Sequence, residues 1–521
     1  MVINNIYTNV RLLVVIDDIP LEAWRNKIID DISDSPIYKI VNILRLSSSL
    51  QPMNQLCCLH MHIDQWYFNP KPNAFEQKEN TLGVEKKMWM SEKKLSVQFD
   101  YLIWLSDQSP SEVFLQQLTK PLLSFVHGPS NIHDGRLLGY QGFYQKREVL
   151  SSALICYTTK RFKLIERTWS MMRTMSIARS RNEHFWKLST LLPRALKKIS
   201  QLKSKSISIE SLVDLSVNSE SKPISTLTAL RCLYHHGLCF SIKALRKLQY
   251  KEQWILLLKM QNGIAKDFNT FKKILPPKDV FWADPFLVEE KDKHYLFFEE
   301  LPFSTWKGHL SVSEIDEQGN LSKPIKILDL PYHLSYPFIF KFDNQFYMIP
   351  ESYEAGNIQL FEAISFPYDW QHKMDLMNGV MAFDTTLYFN NGKWWMFTTL
   401  AEEGSSHNDE LFLFYADSPF TNEWTSHPKN PIVSDVRSAR PAGKIYEENG
   451  KIIRPSQDCS RKYGYGFHLN EIEILTETDY REKSILHVRP DWEKLFTRTH
   501  SFNHSSKATV IDAAIQRSRF F

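Results

Sequence analysis

Three pairs of polar residues recur at one spacing. Asp284 and Glu299 stand fifteen residues apart, as do Tyr336 and Glu351, and then Asp384 and Thr399. A fourth segment runs from Arg440 to Ser456, one residue longer, as a slightly longer turn would give. Arg437 and Asp458 lie close to it, and His500 opens a fifth segment. Such a set suits glycosyl chemistry. One carboxylate activates an attacking hydroxyl or holds a cationic sugar, while a second carboxyl protonates the leaving oxygen. Like charges nearby raise the pKa of the acid partner. Asp284 is the candidate base, Glu351 the candidate acid, and Asp384 orients groups or tunes a pKa. Glu299, Tyr336, Arg437, Arg440, Asp458 and His500 are candidate substrate-binding residues, the arginines for a phosphate or carboxylate. The plain alternative is structural: buried carboxylates accept backbone N–H groups from a neighbouring strand.

The elements that must position these residues are hairpins. Ala283–Glu299, Ser335–Glu351, Phe383–Thr399 and Ala439–Ser456 each read as strand, tight polar turn, and aromatic-rich strand. A third strand follows each: His309–Ile315, Ile358–Ala363, Leu411–Ala416 and Gly466–Ile474. The repeat spacing of 52, 48 and 56 residues, counted on Asp284, Tyr336, Asp384 and Arg440, is blade size for a β-propeller. His500–Ala513 and Trp254–Met260 supply a fifth blade, with Trp254–Met260 as its outer strand. Closing one blade with both ends removes open sheet edges. The innermost strands of such a ring place the repeated polar residues at one mouth of a central funnel. An open solenoid is the rival architecture, but no polar capping repeats are visible.

The first half reads differently. Residues 11–16, 40–44, 102–105 and 122–126 read as short buried strands, and residues 20–31 as a helix. Strands alternating with helices predict a Rossmann-like α/β unit with a parallel sheet. The expected domains are 1–205, a linker with a short helix over 206–250, and the propeller over 251–521. The fold class is thus multidomain, α/β followed by all-β.

The chain has 521 residues and a net charge of +4, so it lacks the overall charge of a nucleic-acid binder. Between Lys160 and Lys205, however, thirteen Lys/Arg face two Glu. That stretch suits an acidic membrane surface, or is a solvated helical face. The 33 Phe, 14 Trp and 21 Tyr fit a glycan cleft and an ordinary core equally well. Six scattered cysteines without metal-type pairs suit a reducing compartment. No metal is expected. No export signal or membrane-length apolar run is visible, so the expected location is cytoplasmic, peripheral to the inner membrane at most. Two further features are weaker. The loop 405–410 either reaches over the funnel or is a solvated turn. Cys459 reads as a buried structural thiol rather than a nucleophile, because no base accompanies it.

At Phe281-Trp-Ala-Asp-Pro-Phe286, Leu334-Ser-Tyr-Pro-Phe338, Met348-Ile-Pro-Glu-Ser352, Phe383-Asp-Thr-Thr-Leu387 and Ser438-Ala-Arg-Pro-Ala-Gly443 the sequence resembles the propeller domain named after plant glucosamine inositolphosphorylceramide transferase. In the plant protein this domain is joined to a separate glycosyltransferase domain, of which no counterpart is evident here. The Ala-Asp-Pro and Pro-Glu-Ser elements are similar to those of five-bladed furanosidases, xylosidases and fructosidases. That resemblance implies an Asp base in the first blade, which Asp284 matches, and a Glu acid, which Glu351 matches in context but not in blade. Arg11–Trp24, Ser124-Phe-Val-His-Gly128 and Asn182–Lys198 resemble a formyltransferase-like domain. The Asn of its Asn-x-His element falls on Phe125, which leaves His127 nearly alone and implies that folate-dependent formyl transfer is lost.

Three functions follow as expectations. The first is glycosyl transfer in bacterial surface-polysaccharide or glycolipid synthesis, using a nucleotide-sugar or other activated-sugar donor and no resident cofactor. The second is a hydrolase or phosphorylase using the same carboxylates. The third is a non-catalytic glycan-binding scaffold.

Overall fold

The computed structural model describes residues 10–47, 50–78, 97–158, 160–204, 213–218 and 224–519. The chain folds as two compact units: residues 1–240 with 403–406, and residues 241–402 with 407–521. Of the predicted linker with its short helix, residues 206–212 and 219–223 lie outside the described residues, and the helix is Thr226–Gln249.

The first unit is built on a six-stranded sheet. In spatial order its strands are Tyr38–Leu46, Val10–Asp17, Tyr101–Trp104, Leu122–His127, Val149–Thr158 and Arg161–Met171. The first four are parallel; the last two form an antiparallel hairpin on one side. The parallel strands are nearly continuous apolar runs, as a sheet covered on both faces requires. Ala23–Ser33 and Ile177–Ser204 pack on one face through Trp24, Ile28, Phe185, Leu188 and Leu192. The helix expected from residue 20 starts at Ala23, because Leu21–Glu22 instead pairs with Gln77–Lys78.

The second unit is a five-bladed propeller. The first blade comprises Val280–Glu290, Lys293–Pro302, His309–Ile315 and Ile325–Leu328; the second, Ser335–Phe342, Gln345–Glu351, Asn357–Ser365 and Asp369–Asn378. The third comprises Ala382–Asn390, Lys393–Leu400, Leu411–Ala416 and Thr425–Ser426; the fourth, Tyr446–Glu448, Lys451–Asp458, Gly466–Leu475 and Tyr480–Val488. The fifth joins both ends of the unit: Phe502–His504 and Ala508–Ser518 pair with Tyr250–Met260, and Lys272–Ile274 lies outermost. Trp254–Met260 is therefore the third strand of that blade, not the outer one. Eleven paired positions between Tyr250–Met260 and Ala508–Ser518 make this the clasp of the ring.

Closure rests on apolar contacts between successive blades. Phe297, Phe338, Met348 and Met396 tie the first three together. Phe397 and Leu413 meet Ile445 and Ile472 between the third and fourth. Phe467 and Leu469 meet Phe502 and Ile511 between the fourth and fifth, and Leu256 and Val510 meet Trp282 and Phe298 between the fifth and first.

The first four hairpins turn on Lys291–Asp292, Asp343–Asn344, Asn391–Gly392 and Asn449–Gly450, all with positive φ. Two such residues in succession match the right-handed twist of the strands they join. Counted from these turns, the fourth blade keeps the fifteen-residue spacing. Its matching positions are Ala442 and Gln457, not Arg440 and Ser456. The extra residue predicted for its turn does not exist.

Candidate functional site

The repeated polar position is set by a backbone device. Asp284, Tyr336 and Asp384 have φ of 49°, 45° and 53°, and each sits in a register shift between its blade's first and second strands. A left-handed residue in a bulge costs strain and re-aims the side chain. In all three blades a buried polar side chain results. His500 occupies the same place in the fifth blade, two residues before Phe502 as Asp284 is two before Phe286; these phenylalanines pair with Ile511 and Phe297.

Two ion-pair groups make up the centre. In one, His500 lies between carboxylates: its Nδ1 is 2.6 Å from Asp512 Oδ2 and its Nε2 is 3.6 Å from Asp284 Oδ1. Asp512 also accepts the backbone N–H groups of Asp284, His500 and Ser501. Trp254 stacks on the imidazole at 4.2 Å. In the other, Arg440 donates Nε to Asp384 Oδ2 (2.6 Å) and Nη2 to Oδ1 (3.2 Å), and Gln457 Nε2 donates to Oδ2 (2.8 Å). Phe383 and Tyr463 flank the guanidinium. Arg440 reaches this place from two residues before the position expected for it, and Asn408 Oδ1 accepts from its Nη1. The loop thus does contribute a residue to the site.

Glu351 and Glu299 complete the ring. Glu351 accepts from Ser335 Oγ (3.0 Å) and the Tyr353 N–H (2.9 Å). Glu299 pairs with His333 Nε2 at 3.2 Å. The Gly308 N–H donates to His333 Nδ1, so the ring proton facing Glu299 sits on Nε2. Gly308 is required there: a Cβ would lie 2.6 Å from the Leu334 carbonyl oxygen and 2.8 Å from Glu299 Oε1. Tyr336 shares a hydrogen bond with Thr386 Oγ1 (2.8 Å) and donates to the Gly443 carbonyl, linking three blades.

Asp284, Glu299, Glu351, Asp384 and Asp512 are all buried, with Arg440, His333 and His500 as their basic partners. Burial pushes Asp284 well up; Asp384 and Glu299 add to this and His500 opposes it. Burial and Asp384 lift Glu351 to about 7. Burial would lower His500, but Asp512 and Asp284 outweigh it and raise it to about 9. Asp512 is held below its ordinary range by His500 despite its burial. The phenols of Tyr336 and Tyr463 are pushed well up by burial and remain neutral. One ligand atom from each of Asp284, His500 and Asp512 lies within 4.8 Å of the others, close enough to hold a metal ion.

Two predicted residues have partners outside the ring. Arg437 pairs with Asp435, two residues away, because the turn brings the short acid against the guanidinium. Asp458 pairs with His487 at 2.9 Å and accepts the Ser460 N–H. Cys459 is buried, with its thiol pushed up to about 12 by burial, which makes it a poor nucleophile. Sequence reasoning missed Asp512, His333, Tyr463 and Gln457. Asp512 had a signal: a lone acid in the apolar run Val510-Ile-Asp-Ala-Ala514 needs a partner.

The first unit holds a cleft of about 620 Å3, lined among others by His127, Lys146, Arg147, Arg167 and Trp169. Behind it runs a buried chain: His127 Nδ1 to Ser152 Oγ (2.8 Å), Ser152 Oγ to His184 Nε2 (2.7 Å), and His184 Nδ1 to Ser170 Oγ (3.0 Å). Phe125, at the place of the formyltransferase Asn, is a core residue. Much of the basic stretch is engaged: Arg161 and Lys163 with Asp214, Arg173 with Glu183, Lys198 with Glu166.

Residues 268–504 match the family model described as glucosamine inositolphosphorylceramide transferase 1, N-terminal. Proteins named glucosamine inositolphosphorylceramide transferase 1 from Oryza sativa subsp. japonica and Arabidopsis thaliana are 37% identical over 206 residues and 34% over 209. Each alignment covers 39% of this chain and 27% of the relative, so the chain spans about a quarter of the length of these proteins. Among solved structures, a family 117 glycoside hydrolase of Zobellia galactanivorans is 12% identical, with a TM-score of 0.33, over 52% of this chain and 91% of that one. At that level the likeness carries nothing about chemistry.

Proposed function

We infer that the chain takes part in glycosyl transfer to a glycolipid, with the propeller funnel as the site. One observation carries this reading: Glu351, buried and lifted to about 7, shares a ring with Asp284, Arg440 and His500. A carboxyl titrating near neutrality can give a proton to a leaving oxygen and take one from an incoming hydroxyl. Glu351 is that group. Asp284, held well up by burial, becomes a base only once it has given up its proton, a loss that protonated His500 favours. Arg440, fixed by Asp384, offers positive charge to a phosphate, as an activated-sugar donor or a phospho-inositol headgroup would bring. The plant relatives are named for inositolphosphorylceramide, which favours a glycolipid acceptor over the surface polysaccharide of a bacterial setting.

Such an acceptor lies in a membrane, and our reading has the chain working beside one, on the cytoplasmic side. No described helix is long and apolar enough to cross one. With much of 160–205 engaged internally, a better contact is the helix Thr226–Gln249. It has four Lys/Arg and no acid, and leaves Leu227, Leu230 and Tyr234 exposed. The first unit serves as a formyltransferase-like platform.

The test is to incubate the full chain with vesicles containing inositolphosphorylceramide and a panel of nucleotide sugars, and weigh the lipid products. A sugar added by the wild type but not by Glu351→Gln supports transfer. Release of sugar from aryl glycosides without lipid product supports the hydrolase. Glycan binding without turnover, unchanged in Glu351→Gln, supports the scaffold.

A further inference from the structure

Outside the funnel, three strands of the fourth blade each present one metal-binding side chain on the same face. Ser456 pairs with His468, and His468 with His487. Directly opposed residues of an antiparallel sheet point the same way, and so do residues two apart on one strand. Asp458, two residues after Ser456, therefore shares the face of the two histidines. One ligand atom from each of Asp458, His468 and His487 lies within 4.8 Å of the others.

The details favour a ligand set over a chance cluster. His468 Nδ1 hydrogen-bonds Ser484 Oγ at 2.8 Å, which leaves Nε2 to face a ligand. Its Nε2 is buried and has no hydrogen-bond partner, a state that costs free energy unless something fills it. Asp458 accepts the Ser460 N–H at 2.9 Å, which orients its carboxylate. His487, 28% exposed and stacked on His468 at 3.9 Å, leaves a path from solvent.

We propose that Asp458, His468 and His487 form a binding site for a late first-row divalent cation, best suited to Zn2+. Two imidazoles and one carboxylate are the donors such ions take, and three ligands leave a fourth position for water. Mg2+ and Ca2+ demand more oxygen ligands than this face provides. Tetrahedral ligands at zinc distances stand about 3.3 Å apart. Asp458 and His487 are already at 2.9 Å, so the site needs mainly a tilt of His468. Binding through His487 Nε2 requires the ring proton to stand on Nδ1, a tautomer change that leaves the imidazole neutral.

The test uses chelator-treated full-length protein titrated calorimetrically with ZnCl2. The expected result is one saturable Zn2+ per chain. His487→Ala, in an exposed strand, should weaken it at least tenfold, Ser484→Ala several-fold, and MgCl2 should not compete. Circular dichroism confirms that the variants fold. Two results overturn the site: no saturable binding by folded wild type, or binding that survives the His468→Gln/His487→Gln double substitution unchanged, which sends the ion to another place.

Discussion

The propeller funnel and the histidine chain of the first unit bury titratable groups by opposite means, although Arg25 and Asp107 form a buried ion pair in the first unit too. In the funnel, Asp284, Asp384, Asp512, Arg440 and His500 are charged or share charge, and burial is offset by ion pairs. In the first unit, His127 and His133 are lowered to about 4 and His184 further, all by burial, and the links among His127, Ser152, His184 and Ser170 are neutral hydrogen bonds. A neutral network can be satisfied once and left alone. A carboxyl raised toward neutrality, as Glu351 is, retains a proton that can be exchanged with a ligand, which is what acid–base work requires.

The contrast is broken most forcefully at Arg440. Arg440→Met leaves Asp384 buried without its cation and should cost about 3–5 kcal/mol in denaturant unfolding; a loss under 1 kcal/mol would mean the ion pair does not hold the funnel. Next, Glu351→Gln keeps the shape and removes the proton, and should lower turnover about 10²- to 10⁴-fold with little change in melting temperature.

The third test uses pH. Glu351 is raised in the folded state, so its contribution is present below its ordinary 4.5 and lost as pH climbs through about 7, a swing of roughly 3 kcal/mol. His127 is lowered, so its contribution is present above 6.5 and lost as pH falls toward about 4, a swing of similar size. Hydrogen exchange followed by mass spectrometry should therefore show the first unit loosening first on acidification; equal loosening of both units would remove the distinction. The smallest effect is expected from Ser152→Ala, about 1–2 kcal/mol from two imidazole nitrogens left without their hydroxyl, with sugar transfer unaffected.

Much of this was legible from sequence, and the reason is local. The fifteen-residue spacing, the polar two-residue turns and the aromatic strands come from near neighbours, so the hairpins and the third strands His309–Ile315 and Leu411–Ala416 could be read directly. Asp284, Tyr336, Asp384 and His500 were found because a repeat forces equivalent residues to equivalent places. The fourth blade misled because register is set by the Asn449–Gly450 turn, whereas Arg440 was placed by its conspicuous side chain.

Other features belong to tertiary structure alone. Asp512 meets Asp284, 228 residues earlier in the chain, because ring closure sets the fifth blade beside the first. Asp458 turns to His487 because its face of the fourth blade, not its distance along the chain, decides its neighbours. Sequence determined which residues repeat and which must be buried. Only the closed ring decided which charges share a pocket, since electrostatic partners are chosen by distance in space and by exclusion of water.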